Sequence, residues 1–169
     1  LVESDSSSGA VVEAGVNLAN DEACFPIKLC LGHVEQLKDS VDYIFLPRLV
    51  SVNPDEYLCP KFMGLPDVVR HNIEDLPPLI DTTIDLNQSK FNLLRSLKQI
   101  GEKLDRSYWR VLKAAWQAWR AHKTHYQKLR AKENNQEFKV GILGHEYIIY
   151  DSQVSLNLLD LLKDRGVGT

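Results

Sequence analysis

Two short apolar runs set against proline, residues 41–46 (VDYIFL, then Pro47) and 79–84 (LIDTTI, after Pro77-Pro78), constrain the fold more than any other feature. Runs this short and this apolar read as buried strands, and the helical stretches between them call for parallel pairing. A helix over 28–38 feeds the first run, and residues 65–72 suit a short helix with Pro66 in its first turn. A third strand is expected at 139–143 (KVGIL), followed by an amphipathic helix over 152–164 that Gly166 ends. Between the second and third strands lies a long helical stretch. One helix runs over 90–103, capped by Asn87 or Ser89, and a second over 105–132, stopped by Asn134-Asn135. On the second, Trp109, Leu112, Trp116, Trp119, Tyr126 and Leu129 recur at helical spacing. Residues 1–20 are rich in Ser, Gly and Ala and read as a loop with one weak helix or strand. The fold class is α/β, with an open, mostly parallel sheet and a long helical insertion. The expected division is 1–86 as an α/β domain carrying cysteine loops, 87–134 as the insertion, and 135–169 as the start of a second, truncated lobe.

Hydrophobic residues make up 44% of the 169, enough for a core, and the net charge of −3 argues against a chain built for nucleic acid. No apolar run approaches the ~18 residues that a membrane span needs, and no basic start with an apolar block marks a signal peptide. Leu1 in place of Met suggests a piece of something longer. Three cysteines, an odd number, suit a reducing compartment, so a cytoplasmic setting is expected.

Cys24 stands in the stretch DEACFPIK and Cys59 directly before Pro60, both in loops at the start of a helix. A helix N-terminus favours thiolate, the form that binds metal, and the expected topology allows both to lie at one edge of the sheet. The plain alternative is packing, the usual fate of a free cysteine. There is no C-x-x-C pair, and the six-residue step from Cys24 to Cys30 is a poor zinc spacing. Glu22 and Lys28 flank Cys24, each a contact for a ligand or merely for solvent, while His33 follows Gly32 and reads as structural. His145 and Tyr147, after the third strand, are candidates to line a ligand pocket; Asp151 or Ser152 caps the last helix. Basic residues crowd the 105–132 helix; they read as a solvated face, a seat for CoA phosphates, or a contact for an acidic partner. Its tryptophans read as core or as an interface with another helix.

The stretches DEACFPIKLCLGHVEQL, VDYIFLPRLVSV and EYLCPKFMGLPDVVR resemble the activase-related domain of CoA-substrate-specific enzyme activases and, more distantly, the cluster-bearing subunits of 2-hydroxyacyl-CoA dehydratases. KVGILGHEYIIYD resembles a second block of that group. The resemblance implies flavodoxin-like domains around an iron–sulfur (4Fe-4S) cluster in an anaerobic system. There an ATP-hydrolysing activase delivers a low-potential electron for radical dehydration of an acyl-CoA. It implies Cys24 and Cys59 as metal ligands, with Glu22, Lys28, His33, His145 and Tyr147 near the cofactor and Cys30 in packing. The further cysteine that the resemblance implies downstream is not in this sequence, so the cluster is expected to be incomplete or absent in this piece. An activase or second subunit, a second copy and acyl-CoA are the expected partners, without nucleic acid or membrane. Two other readings stand beside this one: a non-catalytic domain that docks on an activase or partner subunit, and a metal-free CoA-binding domain.

Overall fold

Pro47 interrupts what is otherwise one continuous strand. β1 (Ile44–Phe45) and β2 (Arg48–Ser51) flank it, and they pair in parallel with β3 (Leu79–Ile80) and β4 (Thr83–Asp85) respectively. The offset between partners is 35 residues on both sides of the gap, from Ile44↔Leu79 to Leu49↔Ile84. Leu46 donates to the Ile80 carbonyl (3.1 Å) and Arg48 to that of Thr82 (3.2 Å), so the ladder runs on across the proline. Pro47 has no N–H to give, and one rung is lost without a change of register. The register slips only between Leu49 and Ser51, which brings Asp85 opposite Ser51. The parallel hand holds, and the second run lies where expected; the first is shifted, with strand at Ile44–Phe45 alone of 41–46 and again at Arg48–Ser51 beyond the proline that was expected to end it. Among the described residues, however, each sheet has two strands, so the architecture is mixed helix and strand with short parallel pairs.

The computed structural model describes residues 7–87, 90–130 and 138–168. The chain divides into two units, Leu37–Tyr126, which holds these strands, and Leu1–Gln36 with Gln127–Thr169.

In the strand-bearing unit, α3 (Pro60–Met63) and α4 (Leu65–Asn72) form the crossover between β2 and β3, each with proline in its first turn. Ile44, Leu65, Val69, Ile73, Leu79 and Ile80 make its buried core. A chain of ion pairs ties its elements together. Arg48 meets Asp67 at 2.7 Å, Asp67 meets Arg70 at 3.2 Å, Arg70 meets Asp81 at 2.5 Å, and Asp81 meets Lys103 at 2.6 Å. The hydrogen bonds from Lys103 and then Arg70 hold the Asp81 carboxyl well below the usual carboxylate range. A folded-state pKa below the unfolded value gives stability that is present above the ordinary 3.8 and is lost on acidification below it. Asp81→Asn is therefore expected to cost about 1–2 kcal/mol at neutral pH. It should also flatten the loss of stability below about pH 4, read by urea titration across pH.

α5 (Lys90–Lys103) turns into α6 (Tyr108–Arg130) through a Schellman motif. Arg106 donates to Gly101 O (2.8 Å) and Asp105 to Glu102 O (3.2 Å), with Asp105 left-handed at φ 49°. This turn is why α6 starts at Tyr108 rather than at Asp105. The predicted tryptophan stripe does not enter the core: Trp109, Trp116 and Trp119 are 78%, 54% and 59% exposed.

In the other unit, α1 (Gly9–Leu18) is capped by Ser8, whose Oγ accepts the Val11 N–H. α2 (Phe25–Leu37) begins three residues before the expected start at 28, because Pro26 is tolerated in a first helical turn. Val11, Ile27, Leu31 and Val34 are buried. α1 and α2 meet at two glycines. A Cβ on Gly15 would stand 1.9 Å from Lys28 O, and one on Gly32 would stand 2.0 Å from Val11 O. Residues 139–143 make a single parallel bridge, Lys139 with Gly168, in place of the expected strand. α7 (Glu146–Tyr150) follows directly, and α8 (Leu158–Asp164) occupies only the end of the expected 152–164 helix. Leu156 and Asn157 are left-handed (φ 52° and 56°), which stops the helix from extending back. Gly166 (φ 71°) ends α8 as expected, with Val167 donating to Leu162 O and Gly166 to Lys163 O, each at 2.9 Å.

Candidate functional site

The two proline-associated cysteines occupy equivalent local positions. Cys24 precedes α2, and its carbonyl accepts the N–H groups of Ile27 (3.0 Å) and Lys28 (3.2 Å). Cys59 is the N-cap of α3 in extended conformation, and its carbonyl accepts from Phe62 (3.0 Å) and Met63 (3.1 Å). In both, the helix's first turn holds a proline, at the second position for Pro26 and at the first for Pro60. The loops that carry them are tied down. Asn20 Oδ1 accepts the Glu22 N–H (2.8 Å), and Lys28 Nζ reaches back to Asp21 O (3.4 Å) across the Cys24 turn. Leu58 donates to Val50 O (2.9 Å), which anchors Cys59 beside β2. Cys59 is exposed and Cys24 half-buried.

Cys30 has a different environment, midway along α2. It is half-buried, as Cys24 is, and burial pushes its thiol up to about 11. The packing role expected of Cys30 agrees with this.

The remaining candidates fall in two groups. Glu22, Cys24 and Lys28 lie along one turn at the start of α2, with Glu22 exposed. His33 lies further along the same helix, where it enters a cluster that sequence reasoning missed. Its Nε2 is 3.1 Å from Ser7 Oγ, and the Ser7 N–H donates to Asp151 Oδ2 (3.0 Å). Asp151 Oδ1 accepts the N–H groups of Gln153 and Val154, both at 3.0 Å. Asp151 thus caps the turn after α7 rather than α8. Ser7 and Asp151 are 144 residues apart, and no local pattern signals the contact. Although burial pushes the Asp151 carboxyl up, the hydrogen bonds from Val154, Ser7 and Gln153 bring it below its ordinary value. Burial pushes His33 down, against the pull of the Asp151 charge.

A base with a lowered folded-state pKa binds fewer protons folded than unfolded, so stability falls as pH drops below its ordinary 6.5. His33→Gln is expected to remove that fall. Thermal unfolding compared at about pH 7 and about pH 5.5, on either side of the ordinary histidine range, measures it.

His145 is the exposed N-cap of α7, and its ring stacks on that of Tyr147 with centroids 5.7 Å apart and planes 11° off parallel. Both residues thus sit at a helix start that follows a single bridge. Among the described residues no three His, Cys, Asp or Glu side chains gather as a metal site. Cys24 and Cys59 belong to different units of the chain.

The local order, a Cys-Phe-Pro helix start, a Gly-His pair in the same helix, and a Cys-Pro helix start beside a parallel strand, is now placed on the fold. The family described as the CoA enzyme activase uncharacterised domain matches residues 1–169. The chain belongs to that family. Neither a curated protein nor a solved structure gave a match. Membership makes this an activase-related domain of CoA enzymes. No helix among its described residues is long and apolar enough to cross a membrane.

Proposed function

We propose that this domain supplies cysteine ligands to an iron–sulfur cluster in the ATP-driven, low-potential electron transfer of the CoA enzyme activase system, in which radical dehydration of an acyl-CoA is the downstream reaction. One observation carries the reading: two thiols at the starts of α2 and α3, each followed by a first-turn proline and neither sealed in the core. Thiolate is the ligand such clusters take. The donor chemistry therefore fits in kind. Cys24 and Cys59, each within its own unit, are the candidate ligands, with Glu22 and Lys28 flanking the first. His33 is engaged by Ser7 in this structure, and it acts by bracing α2. Two thiolates fall short of the usual ~4 ligands, so the rest come from a further segment or a second copy. On the same reading, the parallel pairs are the nucleus of a wider flavodoxin-like sheet in a cytoplasmic protein, and the missing strands come from the same source.

Anaerobic reconstitution with ferrous iron and sulfide of a longer protein that carries this domain tests the proposal. Broad visible absorbance and retained iron, both lost on chelation, are expected. A protein that folds and retains no iron after desalting overturns it.

A second reading has its own support. The exposed tryptophans of α6 suit a docking surface, whether or not the domain binds metal.

A further inference from the structure

Where α5 turns into α6 the chain leaves an open cleft of about 340 Å³, and every residue that lines it belongs to the unit Leu37–Tyr126. Ile100, Leu104, Val111 and Ala114 supply apolar walls, and Leu104 stays 40% exposed. Gly101 lines the cleft as well. A Cβ there would stand 2.5 Å from Val111 Cγ2, so the space at this corner depends on the missing side chain.

The charged residues of the lining are Arg106 and Arg110, four apart across the turn and both exposed. No carboxylate lines the cleft. In the same unit Arg48, Arg70 and Lys103 are each held by an aspartate, whereas neither Arg106 nor Arg110 enters an ion pair among the described residues. An apolar cleft whose charged groups are guanidiniums alone fits a molecule with an apolar tail and an anionic head. At roughly 30 Å³ for each water-sized group, its volume suits on the order of ten non-hydrogen atoms. We propose that this cleft binds a short straight-chain carboxylate, its tail against Leu104, Ile100 and Val111 and its head accepting hydrogen bonds from Arg106 and Arg110. A guanidinium fork matches a carboxylate in two parallel hydrogen bonds. A neutral tail of the same length gains the apolar contact and leaves both cations without a partner. The site stands apart from the cysteines and does not rest on the cluster proposal.

Calorimetric titration of the chain with octanoate, together with amide chemical shifts, tests this. A Kd of about 1 mM or tighter is expected, with the largest shifts at Gly101, Leu104 and Val111. Octanol should bind at least tenfold more weakly. Arg106→Gln and Arg110→Gln should each weaken octanoate about tenfold. Ala114→Trp, at an exposed wall position, should abolish binding by filling the cleft. Lys123→Gln should change nothing, since that cation lies over the Trp119 ring instead. Far-UV circular dichroism should be the same in all four variants. A folded chain that gives no heat and no shifts with about 10 mM octanoate, well above that Kd, overturns the proposal. So does equal affinity for octanol, which would leave only an apolar surface, and so does octanoate binding that both arginine variants retain. A chain that binds phosphatidylglycerol vesicles but not free octanoate also overturns it, and assigns the two arginines to a bilayer surface.

Discussion

Gly32→Ala is expected to lower the melting temperature by roughly 6–12 °C, a loss of about 3 kcal/mol or more. Alanine in place of a helical glycine ordinarily stabilises by about 0.5–1 kcal/mol, because glycine has more conformational freedom to lose. Here the sign reverses. The added methyl would stand 2.0 Å from the Val11 carbonyl oxygen and 3.1 Å from the Gly15 amide, so the obstacle is backbone on both counts. No rotamer relieves that contact; α1 and α2 must part. Gly15→Ala should behave alike, since its Cβ would meet Lys28 O at 1.9 Å. Gly9, in the same α1, has nothing within 4 Å of its Cβ position, and Gly9→Ala should be neutral or slightly stabilising. Differential scanning calorimetry of the three variants separates a close backbone approach from a general intolerance of alanine. The consequence reaches the candidate site, because Cys24 directly precedes α2 and His33 lies within it.

This approach also shows where legibility ended. Periodicity and proline placement located α4 at Leu65–Asn72 and α5 at Lys90–Lys103, and glycine marked the end of α8 at Gly166. These are local signals. The parallel pairing was legible too, since two short apolar runs joined by helices leave little else. The family resemblance rested on the blocks around Cys24, Cys59 and Gly144-His145, and membership bears it out. What was not legible depends on which segments meet. Gly32 read as half of a Gly-His pair, and nothing near it announces the α1 backbone. Asp151 read as a cap, and its second oxygen is taken by the Ser7 amide from the far end of the chain. Residues 139–143 have a strand's composition, yet an extended segment needs a partner alongside, and Gly168 provides one bridge. The tryptophans of α6 have the spacing of a core face. Spacing tells which residues share a face but not whether anything covers it, and they stand exposed.

The other large effect expected is on metal. Losing one of ~4 thiolates usually leaves a cluster labile, because serine is a hard, weakly acidic oxygen donor in place of a soft thiolate. The two cysteines at helix starts should therefore be sensitive, and Cys30 should not. Burial holds the Cys30 thiol up to about 11, and serine there keeps the side chain's size while its hydroxyl can donate to a carbonyl one helical turn back. The contrast controls for folding, since Cys24 and Cys30 belong to the same α2 region. The expected pattern is loss of most iron in Cys24→Ser and in Cys59→Ser, with Cys30→Ser close to the unaltered protein.

The measurement that decides the account is iron per chain after anaerobic reconstitution, taken on a longer protein carrying this domain with each of the three cysteines changed in turn. Retention in Cys30→Ser, with loss in both Cys24→Ser and Cys59→Ser, is the predicted result. Equal iron in all three variants, or loss confined to Cys30→Ser, would contradict it.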